Sequence, residues 1–257
     1  MLTDFYTKSK CIKHCGAKIF PTTEDARRKQ IFVPRAKRIV EICRKHNIPM
    51  EVLLDIGAGF GTFCQEIKNL SIFNRIIALE TSHDLADACR RKGLETIEKP
   101  VEKVNLEEIK KLSIITCFEL IEHLYWPRDF LIACSKALPR KGILIITMPN
   151  IKGFDLLTLG KFSDNIMGPQ HLNYFHPKSI SNLLGLCGFK VVEVQTPGKL
   201  DAELVRKKIL SGKFKVSNCP FLKEILIERW EEIGSVFQEF LANNMLSSHL
   251  WIVAQKI

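Results

Sequence analysis

No apolar run in the 257 residues reaches the roughly 18 that a membrane-crossing helix requires, so no transmembrane segment is predicted. The opening stretch MLTDFYTKSKCIKHCGAKIF lacks the apolar segment of about 7–15 residues that marks a secretory signal, so export is not expected and a cytoplasmic location is. Internal repeats and low-complexity linkers are absent too, which excludes solenoids and arrays. A second metal-ligand pair is also missing. Cys11 and Cys15 flank His14 in CIKHC, but a closed zinc site takes four ligands and no CxxC or HxxxH lies nearby; two thiols on an N-terminal helix are expected instead. In a reducing compartment Cys43, Cys64, Cys89, Cys117, Cys134 and Cys187 are read as small core residues rather than disulfide partners.

What is present is a balance of 46% hydrophobic and 26% charged residues, which suits a globular protein with a full core. One domain over residues 1–257 is expected, with an N-terminal helical cap at 1–50, a ligand-binding core at 51–199, and C-terminal helices with a last strand at 200–257. The formal net charge of +10 is spread through the chain, with runs at Arg27-Arg28-Lys29, Arg90-Arg91-Lys92 and Arg206-Lys207-Lys208. No RNA-binding signature accompanies these runs. They are read as solvated helix faces, and nucleic acid is a secondary reading resting on charge alone.

Residues 22–47 are helix-rich: Thr23 fits an N-cap, and Ile39, Val40 and Cys43 share a face after Pro34. From residue 51, short β-branched runs alternate with helical periodicity, the succession expected of a parallel sheet. VLLDIG, RIIALE, LETIEK, LSIITCFEL and GILIITMPN are predicted strands. Helices are predicted from Thr62 to about Leu70 and over DLADACRRKG, LEEIKKL and PRDFLIACSKAL. After Asn150 the alternation stops, and residues 151–175 read as a long irregular segment with a functional role. SISNLLGLCGF is a further helix, KVVEVQTPG a sixth strand, and 200–245 two or more amphipathic helices. HLWIVAQKI is a last strand, expected to form an antiparallel edge pair with the sixth.

An open α/β sheet binds its ligand at the carboxyl ends of its strands, where glycine lets a cofactor approach bare backbone. That places Gly57, Ala58, Gly59 and Gly61 of DIGAGFG against the ligand. A dinucleotide fingerprint would carry a third glycine where Thr62 stands. Asp55 is the second difference: a carboxylate there repels a pyrophosphate but suits an ammonium group. Glu80, at the end of RIIALE, has the placement to accept two hydrogen bonds from ribose hydroxyls. S-adenosylmethionine (SAM) combines an ammonium group and a ribose and carries no phosphate. A nicotinamide oxidoreductase is disfavoured by the same two differences.

In these motifs the chain resembles the class I SAM-dependent methyltransferases over residues 50–197, and ALPRKGILIITMPN resembles their fifth-strand segment. FELIEHL followed by QHLNYFHPKSISNLLGLCGF is similar to the methyltransferase domain 23 subgroup, whose relatives include ubiquinone-pathway O-methyltransferases. The resemblance implies a Rossmann-like α/β fold: a seven-stranded, mostly parallel sheet with an antiparallel last strand, helices on both faces and an N-terminal helical cap. It also implies SAM as cofactor and S-adenosylhomocysteine as product, bound by Asp55, Gly57, Ala58, Gly59, Gly61, Glu80, Thr81, Val101, Phe118 and Glu119. One departure stands out, because Pro100 occupies the region where many members hold adenine with an aspartate. The Val101 backbone and apolar neighbours would take over, with Glu102 as an added contact.

Methyl transfer to an oxygen needs a base beside the acceptor. Candidates are Glu119, Glu122 and His123 after the fourth strand, His171 in QHLNYF, and His176. His171 is the preferred base, with Glu119 and His123 as further catalytic candidates. Tyr125, Asn173, Tyr174 and Phe175 are expected to contact the acceptor. ExxEH resembles a motif by which ubiquinone-type relatives hold a divalent metal, so Glu119, Glu122 and His123 are the metal candidates, although no metal is expected. The expected acceptor is an oxygen of a small molecule or of a sugar or glycan precursor. RNA or protein methylation and noncatalytic SAM binding are the alternatives, and residues 200–245 are either an acceptor wall or a homodimer contact.

Overall fold

A computed structural model of the chain describes residues 20–163, 166 and 170–257, so the CIKHC stretch lies outside the described residues. The N-terminal helix α1, Phe20–Arg27, passes through a π-helical turn, Arg28–Phe32, into α2, Val33–Lys45. Pro34 has no N–H for the regular bond to the carbonyl four residues back, which accounts for the widened turn just before it. Thr23 thus lies inside α1 and is not an N-cap, because the helix is already formed at Phe20. Ile39, Val40 and Cys43 are buried on one face of α2 as their spacing predicts.

The strands are β1 (Val52–Ile56), β2 (Arg75–Leu79), β3 (Glu95–Ile97), β4 (Leu112–Phe118), β5 (Ile143–Pro149), β6 (Phe189–Gln195) and β7 (His249–Lys256). They form one seven-stranded sheet in the order β3-β2-β1-β4-β5-β7-β6. β1 pairs in parallel with β2 and β4, and β2 with β3. β1 is buried at every position, as a central strand covered on both faces must be. β7 runs antiparallel to β5. Lys141 N–H donates to Lys256 O at 3.0 Å and Lys256 N–H to Gly142 O at 2.9 Å, while Asn150 N–H meets Ser248 O at 2.8 Å, so one strand ascends as the other descends. The last strand therefore lies between β5 and β6.

The chain divides into two compact units: the described residues up to Phe118 with Asp129–Ile145 and Gln255–Ile257, and Glu119–Arg128 with Ile146–Ala254. In the first, α3 (Thr62–Asn69) and α4 (His83–Arg91) follow β1 and β2. LEEIKKL forms only a short 3-10 turn, Leu106–Glu108, because Leu106 alone of its first three residues is buried. The helical cap is tied down by polar contacts. Thr62 Oγ1 donates to Glu24 Oε1 at 2.7 Å, Lys92 Nζ reaches the same oxygen at 2.6 Å, and Arg28 Nε meets Glu66 Oε1 at 2.6 Å. Thr62, where a dinucleotide site would have its third glycine, thus anchors α1. α5 (Pro127–Ala137) buries Phe130, Leu131 and Cys134.

The second unit holds α6 (Phe154–Leu159), α7 (Pro177–Leu186), α8 (Asp201–Leu210), α9 (Pro220–Lys223) and α10 (Trp230–Asn243). The irregular segment expected over 151–175 therefore contains a helix. Leu156 and Leu159 are buried three residues apart, and Gly160, at φ 53°, ends the helix. Leu159, Ala202, Val205, Ile225, Leu226 and Leu241 form an apolar cluster that Phe154, Phe237 and Trp230 extend. Asp201 pins this part to the start of β7, accepting bonds from Ser247 Oγ and Ser248 N–H and from Gln238 Nε2. Those bonds outweigh burial and hold its carboxyl below the usual range. Among the described residues, no helix is long and apolar enough to cross a membrane.

Candidate active site

The first unit carries the glycine loop. Gly57, Gly59 and Gly61 have φ of 79°, 57° and 70°, a region in which side-chain-bearing residues are strained. They differ in what surrounds them. A Cβ on Gly59 would meet nothing within 4 Å, so the loop presents bare backbone to open space there. A Cβ on Gly61 would come within 2.7 Å of Leu94 Cδ1 and 2.9 Å of Cys89 Sγ, so that glycine exists for packing. Gly57 and Ala58 N–H groups both donate to Leu79 O, at 2.8 and 3.1 Å, which ties the loop to the end of β2.

Glu80 braces the same loop. Its Oε2 accepts from Gly59 N–H at 2.8 Å and its Oε1 from Ser82 N–H at 2.9 Å. Each carboxylate oxygen has two lone pairs, so both keep acceptor capacity for a pair of hydroxyls. Burial raises the Glu80 pKa, and the backbone bonds from Ser82, Gly59 and Thr81 pull it back. The Thr81 hydroxyl reaches Lys99 O at 3.5 Å. Val101 is buried and opens a 3-10 turn after Pro100.

Asp55 sits within β1 and not in the loop, and it is 2% exposed. Thr116 Oγ1 donates to its Oδ1 at 2.7 Å and Cys64 Sγ to its Oδ2 at 3.5 Å. Burial pushes its pKa to about 6, against the pull of those two bonds and of the Arg35 charge. Arg35 is the residue that sequence reasoning missed. Its guanidinium lies 4.1 Å from the Phe118 ring centroid, and Phe118 packs edge-on to Phe63 at 5.0 Å. An arginine next to a buried aspartate can take a carboxylate while the aspartate takes an ammonium, which together match the amino-acid end of SAM. Only the basic character of α2 hinted at it in the sequence.

The second unit carries the ionisable cluster. Glu119 has a φ of 51°, and its main chain and side chain both turn to β5: its N–H donates to Thr147 O at 3.0 Å and its Oε1 accepts from Thr147 Oγ1 at 2.6 Å. His249 Nε2 lies 3.4 Å from the same oxygen. Glu122 is 2% exposed, and its Oε2 has no hydrogen-bond partner. Burial, with the neighbouring Glu119 charge, holds its carboxyl well above the usual range. His123 Nδ1 lies 2.8 Å from Gln170 O; a carbonyl only accepts, so Nδ1 carries the proton. Burial lowers the His123 pKa.

The ring centroids of His123 and His171 are 4.8 Å apart and those of His171 and Tyr174 6.0 Å. Glu122, His123 and His171 offer ligand atoms within 4.8 Å of one another. The structure therefore joins His171, not Glu119, to the other two metal candidates, and a carboxyl with two imidazoles is a donor set that suits a divalent cation. Asn173 Nδ2 donates to Leu124 O at 2.6 Å, and Phe175 is buried. Tyr125 is 55% exposed and remains open to a ligand. His176 caps α7 by hydrogen bonding with Ser179, which gives it a structural task.

A family model described as a methyltransferase domain matches residues 26–194, a stretch that includes the glycine loop, Glu80, the ExxEH turn and His171. The chain belongs to that methyltransferase family. As a methyltransferase of the class I, Rossmann-like kind it uses SAM as cofactor. Among curated proteins, the ubiquinone biosynthesis O-methyltransferase of Xanthomonas oryzae pv. oryzae is 26% identical over 104 residues, 38% of this chain and 43% of that protein. The mitochondrial enzyme of the same name from Saccharomyces cerevisiae is 27% identical over 146 residues, 51% of this chain and 46% of that one. The methyltransferase thus matches less than half the length of these relatives. Among solved structures, a SAM-dependent methyltransferase from Archaeoglobus fulgidus superposes at a TM-score of 0.61, with 20% identity and coverage of 93% of this chain and 100% of that one. Phosphoethanolamine N-methyltransferase 2 of Haemonchus contortus gives 0.61 at 15% identity, covering 100% of this chain and 60% of that one. These two likenesses concern the fold.

Proposed function

We propose that the protein transfers a methyl group to a hydroxyl oxygen of a small molecule or of a sugar or glycan precursor, in the cytoplasm. The observation that carries this reading is the clustering of Glu122, His123 and His171, with ligand atoms within 4.8 Å, which brings two imidazoles, proton acceptors by their unprotonated ring nitrogens, beside a carboxyl group. The similarity to two curated O-methyltransferases supports the same acceptor chemistry. SAM supplies a methyl carbon on a sulfonium; attack by the acceptor oxygen forms a C–O bond, breaks the C–S bond and leaves S-adenosylhomocysteine.

In this reading the protein's own residues bind and orient. Glu80 takes the two ribose hydroxyls on its remaining lone pairs, and the open backbone at Gly59 admits the cofactor. Arg35 and Asp55 take the carboxylate and the ammonium, and Val101 presents backbone to the adenine. Phe118 contributes an aromatic wall. His171 accepts the proton that the acceptor hydroxyl loses, with Tyr174 and Tyr125 flanking the acceptor. Imidazole suits that task because its unprotonated ring nitrogen accepts a proton. Glu122, His123 and His171 are the residues that would hold a divalent cation, which would lower the hydroxyl's pKa.

The test is a transfer assay with methyl-labelled SAM against metabolite, glycan and RNA fractions, with and without a chelator. Label is expected in a small-molecule or glycan fraction. Label confined to RNA or protein overturns the acceptor assignment. His171→Ala should retain SAM binding by calorimetry while transfer falls by about a hundredfold or more. Undiminished transfer removes His171 as the base.

A further inference from the structure

The three residues Glu122, His123 and Leu124 grip the segment that carries His171. His123 Nδ1–H donates to Gln170 O at 2.8 Å. Leu172 and Asn173 N–H groups both donate to Glu122 O, at 2.8 and 2.9 Å. Asn173 Nδ2 closes the strap on Leu124 O at 2.6 Å. His171 lies inside this span, bracketed by bonded residues on both sides, with its ring edge-on to His123 at 4.8 Å. Side-chain rotation alone cannot move such a residue far, since its backbone is fixed at 170, 172 and 173.

The geometry points to His123 and Asn173 as positioning residues, which fix the backbone around His171 through His123 Nδ1 and the Asn173 amide. This assigns neither a bond to the acceptor, and it rests on His171 acting in the reaction. It also explains why histidine stands at 123. A ring whose Nδ1 donates to a carbonyl 47 residues away in sequence is a long-range staple between two turns. Asn173 performs the same task from the other side. Both side-chain bonds have a backbone carbonyl as acceptor, so each residue must keep a donor at one defined atom.

That requirement yields a discriminating set of variants. Asparagine places an amide nitrogen where histidine has Nδ1, whereas glutamine reaches toward Nε2. We expect His123→Ala to speed amide hydrogen exchange at Leu172 and Asn173 by about tenfold or more, His123→Asn to restore the protection, and His123→Gln to leave it lost. Asn173→Ala should mimic His123→Ala, with SAM affinity unchanged in all four proteins. With the acceptor fraction identified by labelled SAM, kcat should follow the same order while KM for SAM stays constant, and His123→Asn should rescue transfer to within about threefold of wild type. The assignment is overturned if His123→Gln retains transfer and His123→Asn loses it, because Nε2 is then the working atom. It is equally overturned if His123→Ala leaves exchange at 172 and 173 unchanged. Absence of transfer in the wild type counts against the proposed reaction only, since the exchange measurement decides the strap without it.

Discussion

Glu80 and Glu122 are both buried carboxyl groups, 8% and 2% exposed, yet they are treated in opposite ways. Each Glu80 oxygen accepts a backbone N–H, from Gly59 and from Ser82. Glu122 Oε2 accepts nothing, and burial with the nearby Glu119 charge raises its pKa well above the usual range. The first is a finished support, whose partners are main-chain N–H groups and whose spare lone pairs are, in the proposed reading, left for the ribose of SAM. The second stores the cost of an unmade bond, on the order of 1–3 kcal/mol, which a proton donor, a cation or a substrate group can recover. In the proposed reading, donor recognition is built on satisfied backbone and the acceptor cluster on a group still open to a partner.

The sharpest way to break this comparison is within the glycine loop. Gly61→Ala should destabilise the fold by roughly 3–4 kcal/mol, from positive φ together with overpacking on Leu94 and Cys89. Gly59→Ala should cost only about 1–2 kcal/mol, yet weaken SAM binding by about tenfold or more, since its Cβ enters open space that the cofactor needs. Chemical denaturation and calorimetry check both, and equal stability losses would erase the distinction between a packing glycine and a ligand glycine.

Asp55 gives the next effect. Its pKa of about 6 lies above its ordinary 3.8, so the folded chain keeps a proton that the unfolded chain has released between those values. The native state then binds more protons, and the sign follows: stability falls as pH rises from about 4 to about 6, on the order of 3 kcal/mol in all. Asp55→Asn should remove that slope. The difference between wild-type and variant unfolding free energies, measured across the window, is the readout, and a difference independent of pH would mean that Asp55 ionises as freely as in the unfolded chain.

The two glutamates supply the smaller pair. Glu80→Gln should cost about 1–2 kcal/mol, because its amide nitrogen must face one of two N–H donors. Glu122→Gln keeps the shape of a buried carboxyl that burial and the Glu119 charge hold well above the usual range, and should change stability by less than about 1 kcal/mol at neutral pH. If divalent ions raise the Tm of the wild type, Glu122→Gln should abolish that rise. A Glu122→Gln loss as large as that of Glu80→Gln would show that both carboxyl groups work as braces.

Much of the donor half was legible because it is local. β1, the loop and Glu80 lie within about thirty residues, and glycine spacing and strand periodicity report directly on backbone conformation. Arg35 was not legible, since nothing in VPRAKRIVEIC tells which of its arginines will meet Phe118 and Asp55. Asp55 falls within the predicted strand VLLDIG and within β1, but its burial and raised pKa were not legible, because they depend on what covers the strand and on Thr116 and Cys64 beside it. The helix at Phe154–Leu159 escaped notice because the glycines on either side of it mask a two-turn apolar spacing.

In the acceptor half, residue types were legible and groupings were not. Sequence proximity suggested that Glu119, Glu122 and His123 act together, but a left-handed Glu119 sends its side chain to Thr147, while His171 arrives from a distant segment. The amino-acid sequence by itself determined the family, the sheet and the glycine loop, because these depend on contiguous stretches whose backbone preferences add. Tertiary structure alone decided which ionisable groups share a site, because hydrogen bonds such as that from His123 to Gln170 exist only after chain segments far apart in sequence have packed.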